Sequence, residues 1–164
     1  MKSLKTLVSL SALAVCMGAA SMANAYSISP VNTSFTAPGT ISVKSPSSFQ
    51  ATVNCGATFT GNVDATGVAK ITGVSVTGGG LCSLPTITGL PWTLTATGAT
   101  SGSVTNVGYT IAGSLIFPAS NCGPSTIAVA YSGGLLTASN QPLSGSCTVV
   151  SLSVTPSPTL TIVP

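Results

Sequence analysis

The sequence predicts an all-β fold, a single β-sandwich-like domain of short antiparallel strands held by two disulfides. From residue 26 onward, residues that favour strands (Thr, Val, Ile, Tyr, Phe) recur with a period near two. Gly, Pro, Ser and Asn interrupt them every several residues, and helix signals are missing. Many short strands are typical of a sandwich or a barrel. We expect one sandwich, because each half of the chain alone is too short to bury a stable core.

The predicted strands cover most of the chain between the Gly- and Pro-rich turns. We expect Gly73 to mark a bulge or bend inside one of them. The terminal segments 26–44 and 156–164 are β-prone, and they either pair within the domain or add to the edge of a neighbouring copy. The strands are predicted at residues 26–29, 40–44, 49–53, 68–77, 89–97, 104–111, 115–117, 126–131, 135–138, 148–154 and 159–163.

The first 25 residues have the parts of a secretory signal peptide. Lys2 and Lys5 provide a positive start, residues 7–20 an apolar run, and Ala23-Asn24-Ala25 a small-x-small cleavage site. Cleavage between Ala25 and Tyr26 leaves residues 26–164, a length that suits one domain. The sequence therefore predicts a secreted, extracellular protein.

Lipidation is a weaker alternative to a cleaved signal peptide, and a membrane-spanning helix is not expected. Leu13-Ala14-Val15-Cys16 loosely resembles a lipidation site, but Val15 is a poor fit to the small residue expected before a lipidated cysteine. No other apolar run approaches the roughly 20 residues of a membrane-spanning helix. We therefore expect no transmembrane segment in the mature chain.

Four cysteines remain after the signal peptide, and they form two similar frames. Asn54-Cys55-Gly56 is followed by Cys82, and Asn121-Cys122-Gly123 is followed by Cys147. An even number of cysteines in an exported chain indicates disulfides, although four cysteines allow three connectivities. The repeat favours Cys55–Cys82 and Cys122–Cys147. It also suggests that the domain consists of two similar halves, residues 26–97 and 98–164.

The residues around each frame suggest local structure as well. Asn and Gly are common in turns, so we expect those beside Cys55 and Cys122 to let the chain reverse next to each bridge. A zinc site is the weaker reading of these cysteines, because the chain has no histidine and no pair of cysteines at the spacing that zinc sites use.

The near absence of charge excludes several classes of function. After residue 25 the charged side chains are Lys44, Asp64 and Lys70, with no arginine, so we expect no binding to nucleic acid. Without histidine or glutamate, neither a catalytic triad nor a pair of catalytic carboxylates can form. We therefore expect a protein that is not an enzyme and has no metal or cofactor.

Two uses of the few charged residues remain as weaker alternatives. Ser42 shares a strand face with Lys44, the arrangement that a Ser-Lys enzyme needs. Lys70 could instead form an isopeptide bond with an asparagine, assisted by Asp64. The simpler interpretation is that these charges keep strand edges from aggregating.

Solubility must depend on hydroxyl groups, because Ser and Thr supply 49 of the 164 residues. Such a surface can adsorb at an oil-water interface, since little charge has to be desolvated. The aromatic residues Trp92, Tyr109 and Tyr131, with Phe117, are candidates for contact with an apolar ligand. For each of them a place in the core is the more ordinary role.

Several blocks of the sequence together resemble one family. The stretches YSISPVNTSFTAPGTISV, VNCGATFTG, LPWTL and SNCGPSTIAVAYS are similar to the secreted PraA/PraB proteins of pseudomonads, activators of alkane oxidation. The resemblance implies an exported accessory protein that promotes the use of long-chain alkanes by helping the hydrocarbon disperse or reach the cell. It implies no catalytic residue and no haem, iron or flavin site.

Two functions follow as expectations. The first is a secreted, non-enzymatic accessory protein that acts where alkane meets water or the cell surface. The alternative is a structural subunit of an extracellular fibre or biofilm matrix that assembles by β-strand exchange, with self-association through its terminal strands.

Overall fold

The computed structural model describes residues 25–164, so the predicted signal peptide lies outside the described residues except for Ala25. This part of the chain forms β-strands joined by turns and two short 3₁₀ helices, Pro46–Ser48 and Gly80–Ser83. None of its helices is long and apolar enough to cross a membrane. The strands are β1 (Ser27–Ser29), β2 (Thr33–Lys44), β3 (Val53–Val63), β4 (Ala69–Thr77), β5 (Thr86–Thr88), β6 (Trp92–Gly98), β7 (Ser101–Ile111), β8 (Ser120–Ser132), β9 (Leu135–Leu143), β10 (Cys147–Val154) and β11 (Thr161–Val163).

Eight of these strands pair in a closed antiparallel ring. The order is β2-β3-β4-β6-β7-β8-β9-β10, and β10 returns to pair with β2. The all-β class is confirmed, but the structure is a closed barrel where the sequence predicted a sandwich. Alternating apolar and polar residues suit both folds, and only the long-range pairing of β10 with β2 distinguishes them. Each chain half supplies four neighbouring strands of the ring, while the similarity of the halves stays a prediction.

The two faces of each strand separate an apolar interior from a hydroxyl-rich wall. In β2, Phe35 and Ala37 are buried whereas Thr36 and Pro38 are exposed. Successive side chains of a strand point to opposite faces, so the same alternation around the ring gives one apolar core. The predicted bulge is confirmed, because the β3–β4 register shifts where Gly73 pairs with Thr60.

The two ends of the barrel differ. At one end, which we call the ribbon end, β1 pairs with β11 and places Ile28 and Leu160 in the core. The Ile28 amide donates to the Gly67 carbonyl at 2.8 Å, which fixes this ribbon to the β3–β4 turn. The terminal strands therefore pair within the chain. The opposite end, the loop end, carries both 3₁₀ helices and the 112–119 loop.

Both disulfides lie towards the loop end and have the predicted pairing. Cys55 of β3 bonds to Cys82 in the second 3₁₀ helix, and Cys122 of β8 bonds to Cys147 at the start of β10. The prediction that Asn and Gly make turns beside each bridge is wrong, because Asn54-Cys55-Gly56 and Asn121-Cys122-Gly123 continue β3 and β8. Cys55 reaches Cys82 in the neighbouring 3₁₀ helix, and Cys122 reaches Cys147 on the strand beyond β9, so neither bridge needs a chain reversal at its Asn-Cys-Gly segment.

Two predicted strands are also wrong, and both lie at the loop end. Residues 49–52 precede β3, since Phe49 and Gln50 have two consecutive left-handed backbones (φ 51° and 64°), which turn the chain away from regular strand geometry. Residues 115–117 form part of a loop, although their apolar sequence suggested a strand.

Candidate apolar tip and interior cavity

Three large apolar side chains are exposed together at the loop end. The exposed fractions are 71% for Phe49, 105% for Leu115 and 79% for Ile116. All three line one shallow groove, together with Phe117, so they form a continuous patch that we call the apolar tip (Phe49, Leu115 and Ile116). Single exposed apolar residues are ordinary, but a cluster indicates a contact surface.

The backbone holds Phe49 outward at an energetic cost. The Phe49 amide donates to the Pro46 carbonyl at 2.8 Å, ending the first 3₁₀ helix with Phe49 at φ 51° and ψ 38°. Gln50 follows with φ 64°, and its Nε2 donates to the Ser146 carbonyl at 2.9 Å. A non-glycine residue in this region costs about 1 to 3 kcal/mol, and such residues cluster at functional sites.

A serine turn shapes the other half of the tip. The Ser114 hydroxyl accepts the amides of Ile116 (3.2 Å) and Phe117 (3.3 Å). The Ser114 amide also donates to the Phe117 carbonyl at 2.9 Å. These bonds satisfy the loop's polar backbone and leave the Leu115 and Ile116 side chains in solvent.

Buried serine contacts join the two halves of the tip. Ser47, beside Phe49, donates from its amide to the Ser120 hydroxyl at 2.9 Å. The Ser47 hydroxyl donates to the Pro118 carbonyl at 2.8 Å. Because Ser47 and Ser120 are both 2% exposed, the bond between them is shielded from water, and with the bond to Pro118 it keeps the two halves of the tip together.

Asp64 and Lys70 are each held by hydrogen bonds to neutral neighbours. At the ribbon end, Asp64 accepts the Thr66 hydroxyl (2.6 Å) and the Thr66 and Val68 amides, and these bonds lower its pKa. The Lys70 ammonium donates to the Thr93 hydroxyl at 3.0 Å. At the loop end, the Ser42 hydroxyl is bonded to Asn54.

A cavity of about 120 Å³ lies inside the barrel. Its walls are almost entirely apolar, and small residues such as Ala37, Ala57 and Gly102 leave the space in the middle. A designed cavity of about 150 Å³ with comparable walls stays dry and binds benzene. The space therefore suits a small apolar group or one segment of a longer chain.

A seam in the wall leads towards this cavity. Only Ala69, Lys70 and Ile71 of β4 pair with β6, and among the described residues the rest of β4 has no strand partner on that side. Beyond the seam lies β5, which pairs with β7. Half-buried side chains from both sides of the seam, Val74, Val76 and Ile87, line the cavity.

The three aromatic residues selected from the sequence all line the cavity. Trp92 is buried, with its ring Nε1 donating to the Thr88 carbonyl at 2.8 Å. Tyr131 is half-buried and donates its hydroxyl to the Leu160 carbonyl. Tyr109 is buried on β7. The structure thus brings them to one interior space, while contact with a ligand stays a prediction.

Tyr109 differs from Trp92 and Tyr131 because its polar atom makes no hydrogen bond. Within residues 25–164, its hydroxyl is the buried side-chain oxygen without a hydrogen-bond partner. Burial raises the pKa of Tyr109, and the neighbouring Ser45 side chain lowers it to a smaller extent without completing a bond of normal geometry. Leaving a buried hydroxyl unpaired costs about 1 to 3 kcal/mol.

Sequence reasoning missed the apolar tip. The apolar run Leu115-Ile116-Phe117, between Ser114 and Pro118, predicts a strand, whereas the structure has a loop there. Its shortness and the flanking Ser and Pro were the signals for an apolar loop. For Phe49 the sequence held no such signal, because its exposure depends on a left-handed backbone.

The described part of the chain has no group of three or more His, Cys, Asp or Glu side chains that could hold a metal ion.

A family model for PraA/PraB-like alkane oxidation protein activators matches residues 1–164, the whole chain. No curated protein and no solved structure matches the sequence or the fold. The chain therefore belongs to the PraA/PraB-like family of alkane oxidation protein activators.

Proposed function

We propose that the protein is a secreted, non-enzymatic accessory factor that promotes the use of long-chain alkanes at the oil-water or cell surface interface. The observation that carries this proposal is the apolar tip, in which a strained backbone presents Phe49 beside Leu115 and Ile116. The family name supports the connection with alkane oxidation. The predicted signal peptide supports action outside the cell.

The polarity of the molecule suits adsorption in one orientation. Moving a large apolar side chain from water into hydrocarbon is favourable by about 1.5 to 3 kcal/mol. The transfer of three such side chains offsets much of the free-energy cost of restricting the motion of the protein at a surface. Asp64 and Lys70 lie towards the ribbon end, and Lys44 faces outward on the wall where β2 ends at the loop end. These charges and the wall hydroxyls stay in water when only the tip enters oil.

A hexadecane emulsification and partition assay tests the proposal. The test variant replaces Phe49, Leu115 and Ile116 by Ser. A matched control replaces three exposed apolar residues of the ribbon end, Val31, Leu135 and Val163, by Ser. We expect the tip variant to lose most of its partition into the oil phase and the control to keep it.

Both variants should unfold at the wild-type denaturant concentration, since exposed substitutions usually change stability by less than about 0.5 kcal/mol. Equal emulsification by the folded tip variant and the wild type would contradict the proposal.

One observation favours the fibre alternative. Residues 72–77 of β4 have no strand partner on the seam side in the described chain, and an unpaired edge can accept a strand from another molecule. Electron microscopy distinguishes the two functions. Filaments formed by a protein that is inactive on hexadecane would favour the fibre subunit, whereas active monomers favour the interface factor.

A further inference from the structure

The polar groups that line the barrel cavity are few and, with one exception, paired. Among residues 25–164 no charged side chain lines it, and the polar atoms of Trp92 and Tyr131 donate to backbone carbonyls. The exception is the Tyr109 hydroxyl, which is buried without a partner. A site with apolar walls and one free hydroxyl matches a ligand with an apolar body and one polar atom.

The free hydroxyl also lies near the route into the cavity. Tyr109 pairs across the β5–β7 ladder with Ile87, whose side chain lines the cavity at the seam. The second 3₁₀ helix lies beside β4, and Cys55–Cys82 ties it to β3. A chain that enters through the seam therefore passes apolar side chains and meets Tyr109.

We propose that the barrel interior binds a neutral aliphatic chain ending in oxygen, such as a primary alcohol, and that the Tyr109 hydroxyl hydrogen-bonds this oxygen. The site is separate from the apolar tip and goes beyond adsorption to oil. A reaction that hydroxylates the terminal carbon of an alkane would supply this class of ligand.

Two other occupants fit the site less well. A carboxylate would be buried without a cation to balance it, which is strongly unfavourable. A buried water usually makes about three hydrogen bonds, whereas beside Tyr109 the described lining residues offer one further hydroxyl, that of Ser45.

The cavity volume sets the size of the probes. A 150 Å³ cavity takes the six heavy atoms of benzene, so a 120 Å³ cavity suits a chain of similar atom count. The probes are 1-pentanol, 1-chloropentane, in which chlorine replaces the hydroxyl, and pentanoate. Binding is measured by titration of Trp92 fluorescence, because Trp92 is the single tryptophan and lines the cavity.

The decisive variant is Tyr109→Phe, which removes only the hydroxyl. We expect the wild type to bind 1-pentanol more tightly than 1-chloropentane. The preference is the dissociation constant of 1-chloropentane divided by that of 1-pentanol. In Tyr109→Phe this ratio should fall about five- to tenfold, which corresponds to the free energy of one hydrogen bond. Pentanoate should bind most weakly. The tip variant should bind 1-pentanol like the wild type, which separates this site from the proposed interface function.

Three outcomes would overturn the proposal. They are an unchanged alcohol preference in folded Tyr109→Phe, tighter binding of pentanoate than of 1-pentanol, and no saturable binding of either neutral probe. Denaturant unfolding of Tyr109→Phe confirms that the comparison is made on folded protein, and removal of an unpaired buried hydroxyl should leave its stability equal or higher.

Discussion

The Ser47 hydroxyl lies 2.7 Å from the Ser120 hydroxyl, a partner 73 positions along the chain. This pair connects the helix that presents Phe49 with the strand that follows the Leu115–Ile116 loop. The pair thereby brings together Phe49 and the Leu115–Ile116 loop, which are far apart in the sequence, and the two form one apolar surface.

Ser47→Ala should therefore weaken both the fold and the tip. The substitution removes the Ser47 hydroxyl from the Pro118 carbonyl and from the buried Ser120 hydroxyl, while the Ser47 amide still donates to Ser120, so we expect a loss of about 1 to 3 kcal/mol in urea unfolding. Partition into hexadecane should fall as well.

The double variant Ser47→Ala/Ser120→Ala provides the control. It should be less destabilised than the sum of the two single variants, because the two hydroxyls serve each other. Additive effects would show that the pair does not hold the two segments together.

Sequence reasoning succeeded where the signal is local. Alternation within β4 and β10 identified them as strands, and the repeated cysteine spacing identified both disulfides. It did not predict the ring, because the pairing of β10 with β2 joins distant segments and leaves no mark in either.

The candidate site was only partly predictable for physical reasons. Trp92, Tyr109 and Tyr131 were selected as aromatic residues, yet their convergence on one cavity depends on ring closure. Phe49 was predicted only as the first residue of a strand, and its exposure could not be inferred because hydrophobicity favours burial but does not require it. The Tyr109 hydroxyl lacks a hydrogen-bond partner because of the residues that surround it in space, and the sequence alone does not predict these neighbours.

Gly39 should be essential for closing the barrel between β2 and β10. A Cβ atom added at Gly39 would lie 2.0 Å from the Ser153 carbonyl oxygen, a backbone atom that cannot move away alone. We expect Gly39→Ala to lower the free energy of unfolding by about 1 to 3 kcal/mol. The neighbouring exposed Thr40→Ala should change it little, and equal effects of the two would contradict the close approach at Gly39.

Removing either disulfide should lower the free energy of unfolding by a similar amount, but the two variants should differ in which segment becomes mobile. Each bridge closes a loop of similar length (27 and 25 residues apart), worth about 3 kcal/mol in the chain-entropy account. Cys55→Ala/Cys82→Ala also frees the helix beside the seam, so hydrogen exchange should speed up most at residues 78–85. Cys122→Ala/Cys147→Ala should leave that segment comparatively protected. Equal exchange there in both variants would contradict the tethering role of Cys82.

The stability of the protein should be almost independent of pH over an unusually wide range. The pKa of Asp64 is lowered by its bonds to Thr66 and Val68, so this group stabilises the fold above its ordinary pKa of 3.8 and loses that effect as pH falls. Burial raises the pKa values of Tyr109 and Tyr131 from 10.0. The unfolded chain then ionises first at high pH, and stability declines above that value.

With no histidine in the chain, the urea midpoint should stay flat between about pH 5 and 9. Asp64→Asn should flatten the acid side, because it removes the carboxylate that titrates there. Tyr109→Phe should reduce the alkaline decline, while Asp64→Asn leaves that decline unchanged. A midpoint that shifts steeply near neutral pH, or an alkaline decline of full size in Tyr109→Phe/Tyr131→Phe, would show that other groups control the folded state.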